Sequence, residues 1–255
     1  MSDTHKLKIG ILGAGSIGST LARKLAAAGH RVKVANSRGP ETIPAEALET
    51  GATAVTVAEV VQDVEVVILS TPPTALSKLA PLVGPLPDEI VVIDTSNYHP
   101  FRDGTIAELD GGKVESVWAA EQLGRTIVKA WSSLVTDSLV NKGQPSGANG
   151  RIALPVSGDR VRDRQIAMRL VEDTGFDAVD AGTLADSWRQ QPGAPAYCTD
   201  LTRDELPPAL ANAEHNRLAK RRKLATEVFL ERFPNLGQDI PPADFVLQVH
   251  RTLFM

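Results

Sequence analysis

A single cysteine, Cys198, stands among the 255 residues of this chain. That scarcity excludes an internal disulfide framework and a thiolate-rich zinc site, and it suits a reducing, cytoplasmic compartment. Cys198 is therefore read as a small packed residue rather than a nucleophile. Long apolar runs are missing too: no segment approaches the roughly 18 uninterrupted apolar residues of a membrane span. The opening Met1-Ser-Asp-Thr-His-Lys lacks the apolar core of a signal peptide, so a soluble, unexported protein with no membrane partner is expected. Positive charge is not in excess. With 27 Lys and Arg against 31 Asp and Glu the net charge is −4, which supplies no field for phosphate backbones; small molecules are expected as partners, nucleic acids are not. A last absence is local, for neither Asp nor Glu occurs between Asp3 and Glu41.

What is present is ordinary in bulk: 42% hydrophobic and 23% charged residues promise a sizeable core in one or two domains. The first forty residues are more specific. Residues 7–12 form a short apolar run of the kind a buried parallel strand needs, and Gly13-Ala-Gly15-Ser16-Ile17-Gly18 follows at once. Ile17, Leu21, Leu25 and Ala28 then recur on one helical face until Gly29 stops the helix, and Val32, Val34 and Ala35 begin a second strand. Glycines between strand and helix serve a dinucleotide: the first permits the tight turn, the second admits a pyrophosphate, the third lets helix pack on strand. Glycines that merely shape a turn are the alternative, and the strand–helix–strand context speaks against it. At the end of the second strand an acid would bond a ribose 2′-hydroxyl and repel a 2′-phosphate, but here the chain runs Asn36-Ser37-Arg38-Gly39-Pro40. Amide, hydroxyl and guanidinium suit a phosphate, which favours NADP over NAD; a solvated turn is the alternative.

Further strands are expected at 64–69, 90–94, 126–130 and 151–156, with a weaker one at 177–180. Helices are expected at 58–62, 75–83, 115–123, 161–172 and 208–233. Such alternation means an α/β fold, a Rossmann-type doubly wound parallel sheet with a small mainly helical C-terminal extension. The expected division is an NADP-binding domain over 1–185 and a C-terminal loop and helical lobe over 186–255 completing the acceptor side. Residues 143–150 read as a flexible loop by composition.

The glycine fingerprint, Ala35-Asn-Ser-Arg-Gly-Pro40, Ile93-Asp-Thr-Ser-Asn97, Val128-Lys-Ala-Trp131 and Gly175-Phe-Asp-Ala-Val-Asp-Ala-Gly182 together resemble the deazaflavin-dependent NADP reductase family, over roughly residues 7–190. That family is itself similar to the NADPH-binding domain of six-transmembrane metalloreductases. The resemblance implies NADP as cofactor and hydride exchange with a planar acceptor such as a deazaflavin or flavin, while leaving the acceptor's identity open. Two rival readings remain: a β-hydroxyacid or imine-type dehydrogenase, and a non-catalytic NADP(H)-sensing protein. A homodimer is compatible with each.

In an open parallel sheet the ligand lies beyond the carboxyl ends of the strands, which places Ser70-Thr71-Pro72-Pro73 and Thr95-Ser96-Asn97 beside the nicotinamide. Ser70, Thr71, Thr95 and Ser96 serve equally as caps or turn formers. Tyr98 and His99 follow on a segment that also reads as a surface loop. Lys129, in a strand that should be buried, either reaches a substrate carbonyl or anionic cofactor or snorkels from the strand end. Trp188 and Tyr197, in a turn-rich stretch after the last strand, either wall the acceptor pocket or belong to an ordinary rigid loop. Catalytic candidates are thus Lys129, His99 and Trp188. In the last predicted helix Leu210, Leu218, Ala225 and Phe229 face inward and Lys220-Arg-Arg-Lys223 largely outward. Glu214 and His215 diverge on a helix, so no metal site is expected.

Overall fold

The computed structural model describes residues 6–236 and 239–255. Residues 1–5, which carry most of the N-terminal reading, lie outside that set. Among the described residues eight strands run β1 (Lys8–Leu12), β2 (Arg31–Ala35), β3 (Thr53–Ala54), β4 (Val66–Leu69), β5 (Val91–Asp94), β6 (Val128–Lys129), β7 (Ala153–Gly158) and β8 (Asp177–Asp180). They form one sheet in the order β3-β2-β1-β4-β5-β6-β7-β8. The strand order reverses at β1 and β4, where a doubly wound sheet opens its ligand crevice. Helices are α1 (Ser16–Ala27), α2 (Leu76–Val83), α3 (Pro100–Asp103), α4 (Ala107–Asp110), α5 (Glu115–Leu123), α6 (Thr136–Asn141), α7 (Val161–Asp173), α8 (Leu206–Ala211), α9 (Leu218–Arg232) and α10 (Ala243–Phe254).

Both faces of the sheet are covered, and the period of two along each strand decides which residue goes where. Ile9, Ile11, Val66, Ile68, Val91 and Ile93 join Leu21 and Leu25 of α1 and Leu170 and Val171 of α7 in one apolar cluster. Leu12, Val67, Leu69 and Val92 turn the other way, onto Leu76 and Val83 of α2 and Trp118 and Leu123 of α5. Burial on both sides explains why these strands read as unbroken apolar runs.

Four expectations are corrected. The sheet is not parallel throughout, since β6 and β7 pair antiparallel through Val128–Gly158 and Lys129–Ser157. The six-residue α6 between them is about 9 Å long, roughly half a five-residue strand, too short to carry the chain back along the sheet. Residues 58–62 form turns, not a helix: Glu59 accepts hydrogen bonds from the Thr56 amide and hydroxyl, closing a tight local loop whose Val60 carbonyl packs directly against Gly10. The helix expected over 208–233 is broken into α8 and α9, with Glu214 in the break held by Arg217 and Arg221. Leu210, Leu218, Ala225 and Phe229 are all buried as expected. The basic run is not all outward, because Arg221 is buried and Arg222 lies over the Tyr98 ring, 4.9 Å from its centroid. Strand β3 and helix α10 were not foreseen; α10 packs Val249 and Phe254 against Tyr197, Ala225 and Phe229.

Candidate functional site

The three glycines of the fingerprint do different work. Gly13 has φ +109°, and a Cβ there would strike the Ser70 carbonyl; one at Gly18 would strike the Gly13 carbonyl. Both are demanded by close approach of backbone to backbone. At Gly15 a Cβ would meet nothing within 4 Å. Gly15 is also the N-cap of α1, without a side-chain cap or any acid in the first turn. Its free face and the unpaired amides beyond it therefore point at open space that favours an anion.

That space is a cavity of about 300 Å³ whose lining includes Gly15, Ser16, Ile17, Ser70, Thr71, Pro72, Thr95, Ser96 and Asn97. The glycine loop and the ends of β4 and β5 are thus brought together at the switch in strand order. Residues after β6 close the far side: Trp131, Ser132, Leu134 and Thr136 also line it. Trp131 has φ +53°, a strained conformation for a bulky residue, and its indole donates to Thr174 at 3.1 Å. Asn97 Nδ2 donates to the Ser132 carbonyl at 2.6 Å, tying the β5 and β6 ends together. Thr71 Oγ1, Asn97 Oδ1 and Ser132 Oγ are buried without a hydrogen-bond partner among the described residues. Unpaired buried polar atoms are costly, and three of them around one cavity fit a ligand rich in hydroxyl and amide groups, as the ribose and carboxamide of a nicotinamide dinucleotide are. Thr95 and Ser96 are partly committed elsewhere: the Thr95 hydroxyl donates to the Leu69 carbonyl and the Ser96 hydroxyl to Asp94.

Asn36, Ser37 and Arg38 lie outside this cavity, on the rim past β2. Asn36 Oδ1 accepts from the Arg38 amide at 2.8 Å and from Thr42 at 3.1 Å, which builds a rigid turn ending at Gly39 with φ +107°. Arg38 is exposed, and its guanidinium has no partner among the described residues.

Lys129 takes neither of its expected roles. Its ammonium pairs with Asp94 at 2.8 Å and donates to the Ser96 carbonyl, with both side chains of the pair at most 2% exposed. Asp94 and Lys129 are register partners on β5 and β6, so the pair ties two strands, and neither residue lines the cavity. Tyr98 is fully buried, not a surface residue. Its amide donates to Glu115 at 3.1 Å, and burial, opposed mainly by Lys129, raises the Glu115 carboxyl to about 7.

Beyond the cavity opens an apolar chamber of about 430 Å³, sharing His99, Arg102, Leu134, Thr136 and Tyr197 with it. Phe229, Val246 and Phe254 of the C-terminal helices line its far wall. His99 Nε2 lies 3.1 Å from Tyr197 Oη. Cys198 joins this wall at φ +52°, its amide bonded to the Ser133 carbonyl, which seats Tyr197 beside the β6 end. Burial holds His250 down to about 4, against a hydrogen bond to the Cys198 backbone, and its Nδ1 has no partner among the described residues. A wider polar groove of about 870 Å³ between α6 and α10 contains none of the glycine-loop or strand-end residues.

Trp188 lines neither cavity, which corrects its expected place on the acceptor wall. It sits in a 3₁₀ segment, Leu184–Gln190, edge-on to His215 at 5.1 Å and stacked with Arg189 at 4.4 Å, among Ala194, Ala213 and Leu218. Trp188→Ala is accordingly expected to lower stability by about 2–4 kcal/mol, the range of a partly buried aromatic truncation, with KM and kcat unchanged. Urea unfolding read beside steady-state kinetics checks this. Arg102, Ser132, Leu134 and Thr136 were missed by sequence reasoning, and Trp131 was read only as part of the Val128–Trp131 motif; the signal for Ser132, Leu134 and Thr136 was their position soon after a strand.

Comparison with known proteins follows the same lines. The profile of the family described as NADP oxidoreductase, coenzyme F420-dependent, matches residues 8–98. The solved structure of hypothetical protein SMa0349 from Sinorhizobium meliloti is 30% identical, with a TM-score of 0.67 over 78% of this chain and 96% of that one. A protein of Arthrobacter sp. FB24, named as an F420-dependent NADP reductase, shares the fold at a TM-score of 0.55 with 20% identity, over 71% of this chain and 87% of its own. Protein YjhV of Escherichia coli (strain K12) is 54% identical over 56 residues, which is 22% of this chain and 41% of that relative's length.

Proposed function

This chain belongs to the family of coenzyme F420-dependent NADP oxidoreductases, and we propose that it passes hydride between NADP(H) and a planar acceptor, a deazaflavin or flavin, held in the apolar chamber. The observation that carries the reading is the joining of two unlike spaces. A polar cavity with three unpaired polar atoms opens, through residues shared by both, into a chamber walled by Phe229, Val246 and Phe254. Ligand sites combine an apolar body with a few convergent polar groups in this way.

When bound, the reduced nicotinamide supplies the hydride. Gly15 and the first amides of α1 receive the diphosphate. Ser37 and Arg38, presented by the Asn36 turn, receive the 2′-phosphate, and Thr71, Asn97 and Ser132 orient the nicotinamide half. The chamber excludes water from the acceptor face, so orientation and desolvation carry the catalysis. Lys129, the sequence's candidate for a substrate carbonyl, is locked to Asp94. The C-terminal helices α9 and α10 have 15 and 12 residues, and they wall the chamber with Phe229, Val246 and Phe254. No helix among the described residues is long and apolar enough to cross a membrane; a cytoplasmic setting with a small-molecule acceptor as the partner suits this reading.

Anaerobic NADPH oxidation with a deazaflavin, a flavin, an imine and a β-oxoacid series tests it. Turnover with the tricyclic acceptors alone is expected. NADPH binding without turnover on any acceptor would leave the sensing role in its place. Cofactor choice is checked separately. Arg38→Ala is expected to remove most of the preference for NADPH over NADH, roughly ten- to one-hundred-fold, as one charge-assisted bond of about 1.5–3 kcal/mol is lost. NADH affinity should barely move. Glu41, whose carboxylate packs against Gly39, remains in the variant and adds repulsion toward the 2′-phosphate. Calorimetry with both dinucleotides gives the answer.

A further inference from the structure

Where the cofactor cavity meets the apolar chamber, two side chains 98 positions apart in sequence touch: His99 Nε2 and Tyr197 Oη, at 3.1 Å. Both residues line both spaces, so any acceptor placed to receive hydride lies beside this pair. Reduction of a deazaflavin or flavin by hydride needs a proton as well, because the electron pair that arrives at one ring atom leaves an anion on the conjugated ring. We propose that His99 and Tyr197 form the relay that delivers this proton, an inference that rests on the hydride-transfer reading above.

The step balances as follows. The acceptor gains hydride, and with it two electrons, from the reduced nicotinamide; at the same time the Tyr197 O–H bond breaks toward an acceptor nitrogen or oxygen. The His99 Nε2–H bond breaks toward Tyr197 Oη, restoring the phenol. His99 Nδ1, on a half-buried ring, takes a proton from water, and the ring returns to its starting tautomer by exchange with water. Neither side chain is charged before or after.

Neutrality throughout is what this environment enforces. Burial, aided by the guanidinium of Arg102, holds the His99 imidazole down to about 3, and burial raises the Tyr197 phenol well above its ordinary value. An imidazolium or a phenolate standing alone here would be expensive, whereas a concerted shift creates neither. The neighbours leave the pair its protons. The Cys198 thiol, which shares a hydrogen bond with the Tyr197 phenol, is itself pushed up by burial; Glu115 adds to the rise of the phenol and His250 to the lowering of His99, Asp103 is engaged by Arg102 and the His99 amide, and Arg222 lies over Tyr98.

The relay requires a particular resting tautomer, in which Nε2–H donates to Tyr197 Oη and the phenol hydrogen turns from the Cys198 thiol to the chamber when an acceptor is bound. Nitrogen-15 NMR of histidine in the free protein is expected to show a neutral His99 with a hydrogen-bonded Nε2–H, and Tyr197→Phe to move that signal without lowering the melting temperature appreciably. A neutral Nδ1–H tautomer, or an imidazolium, at rest would overturn the proposal. In turnover with 5-deazariboflavin as acceptor, Tyr197→Phe is expected to cost about 100-fold or more in kcat and to change the solvent deuterium isotope effect, with NADPH affinity held within about twofold. His99→Gln keeps an N–H donor but cannot pass a proton, and is expected to lose rate while Tyr197 stays in place. Unchanged kcat and isotope effect in Tyr197→Phe would overturn the relay. Failure of the unmutated protein to bind NADPH would instead strike the hydride-transfer reading on which it rests.

Discussion

Lys129→Met is expected to lower the unfolding free energy by about 3–5 kcal/mol, because it leaves the Asp94 carboxylate buried without its cation. Asp94 is fully buried, and its remaining hydrogen bonds come from the Ser96 amide and hydroxyl alone. The loss should grow with pH, and Glu115 supplies the reason. Burial raises that carboxyl to about 7, and Lys129 is the strongest of the charges holding it lower. A carboxyl whose folded pKa is raised binds its proton more tightly in the folded state. Stability therefore falls as pH rises from about 4.5 to about 7. In the unmutated protein this window should show a declining contribution from Glu115, which Glu115→Gln removes. In Lys129→Met the carboxyl is driven higher, so the decline deepens and extends above pH 7, and adding Glu115→Gln should recover part of the loss. Urea midpoints between pH 5 and 8 for the four proteins test each step. Near-native stability of Lys129→Met at pH 7 would mean that the buried pair adds nothing net.

Lys129 also shows where a sequence stops being readable. A lysine inside an apolar strand announces that something must compensate it, but its partner sits 35 positions away and is met only because β5 and β6 register Asp94 against Lys129. The nucleotide half was legible for the opposite reason. Gly13, Gly15 and Gly18 answer to local geometry, a turn between one strand and the next helix, and so do Asn36 and Thr42, six positions apart. The strand runs of β1, β2, β4, β5 and β7 were legible because burial on both faces removes polar residues from them. The acceptor side was not. It is assembled from the segments after β5 and β6, from 197–198 and from α9 and α10, and no periodicity says which loops meet. Trp188 and Tyr197 lie nine positions apart in one turn-rich stretch, yet only Tyr197 reaches the chamber. Arg222 illustrates the same limit: a run of four basic residues looks solvated, while helical geometry turns two of them inward.

Gly15→Val is expected to leave a folded protein that has lost at least about 100-fold in NADPH affinity, equivalent to roughly 2.7 kcal/mol or more. The fold should survive, since a side chain at Gly15 would meet nothing within 4 Å and its φ of −75° and ψ of −176° is extended backbone open to any residue. The cost to the helix is that of an N-cap filled by a residue that caps poorly, about 1 kcal/mol, or roughly 2–4 °C in melting temperature for a chain of this size. The ligand is what the branched side chain excludes, because it fills the one face of the loop left open for a diphosphate and shields the α1 amides behind it. Gly18→Ala supplies the contrast. Its methyl would strike the Gly13 carbonyl, so it should destabilise the protein far more than Gly15→Val although the added group is smaller. Melting curves and NADPH calorimetry on both variants separate a glycine kept for a ligand from a glycine kept for packing. A well-folded Gly15→Val that binds NADPH with native affinity would show that the diphosphate does not lie on this loop.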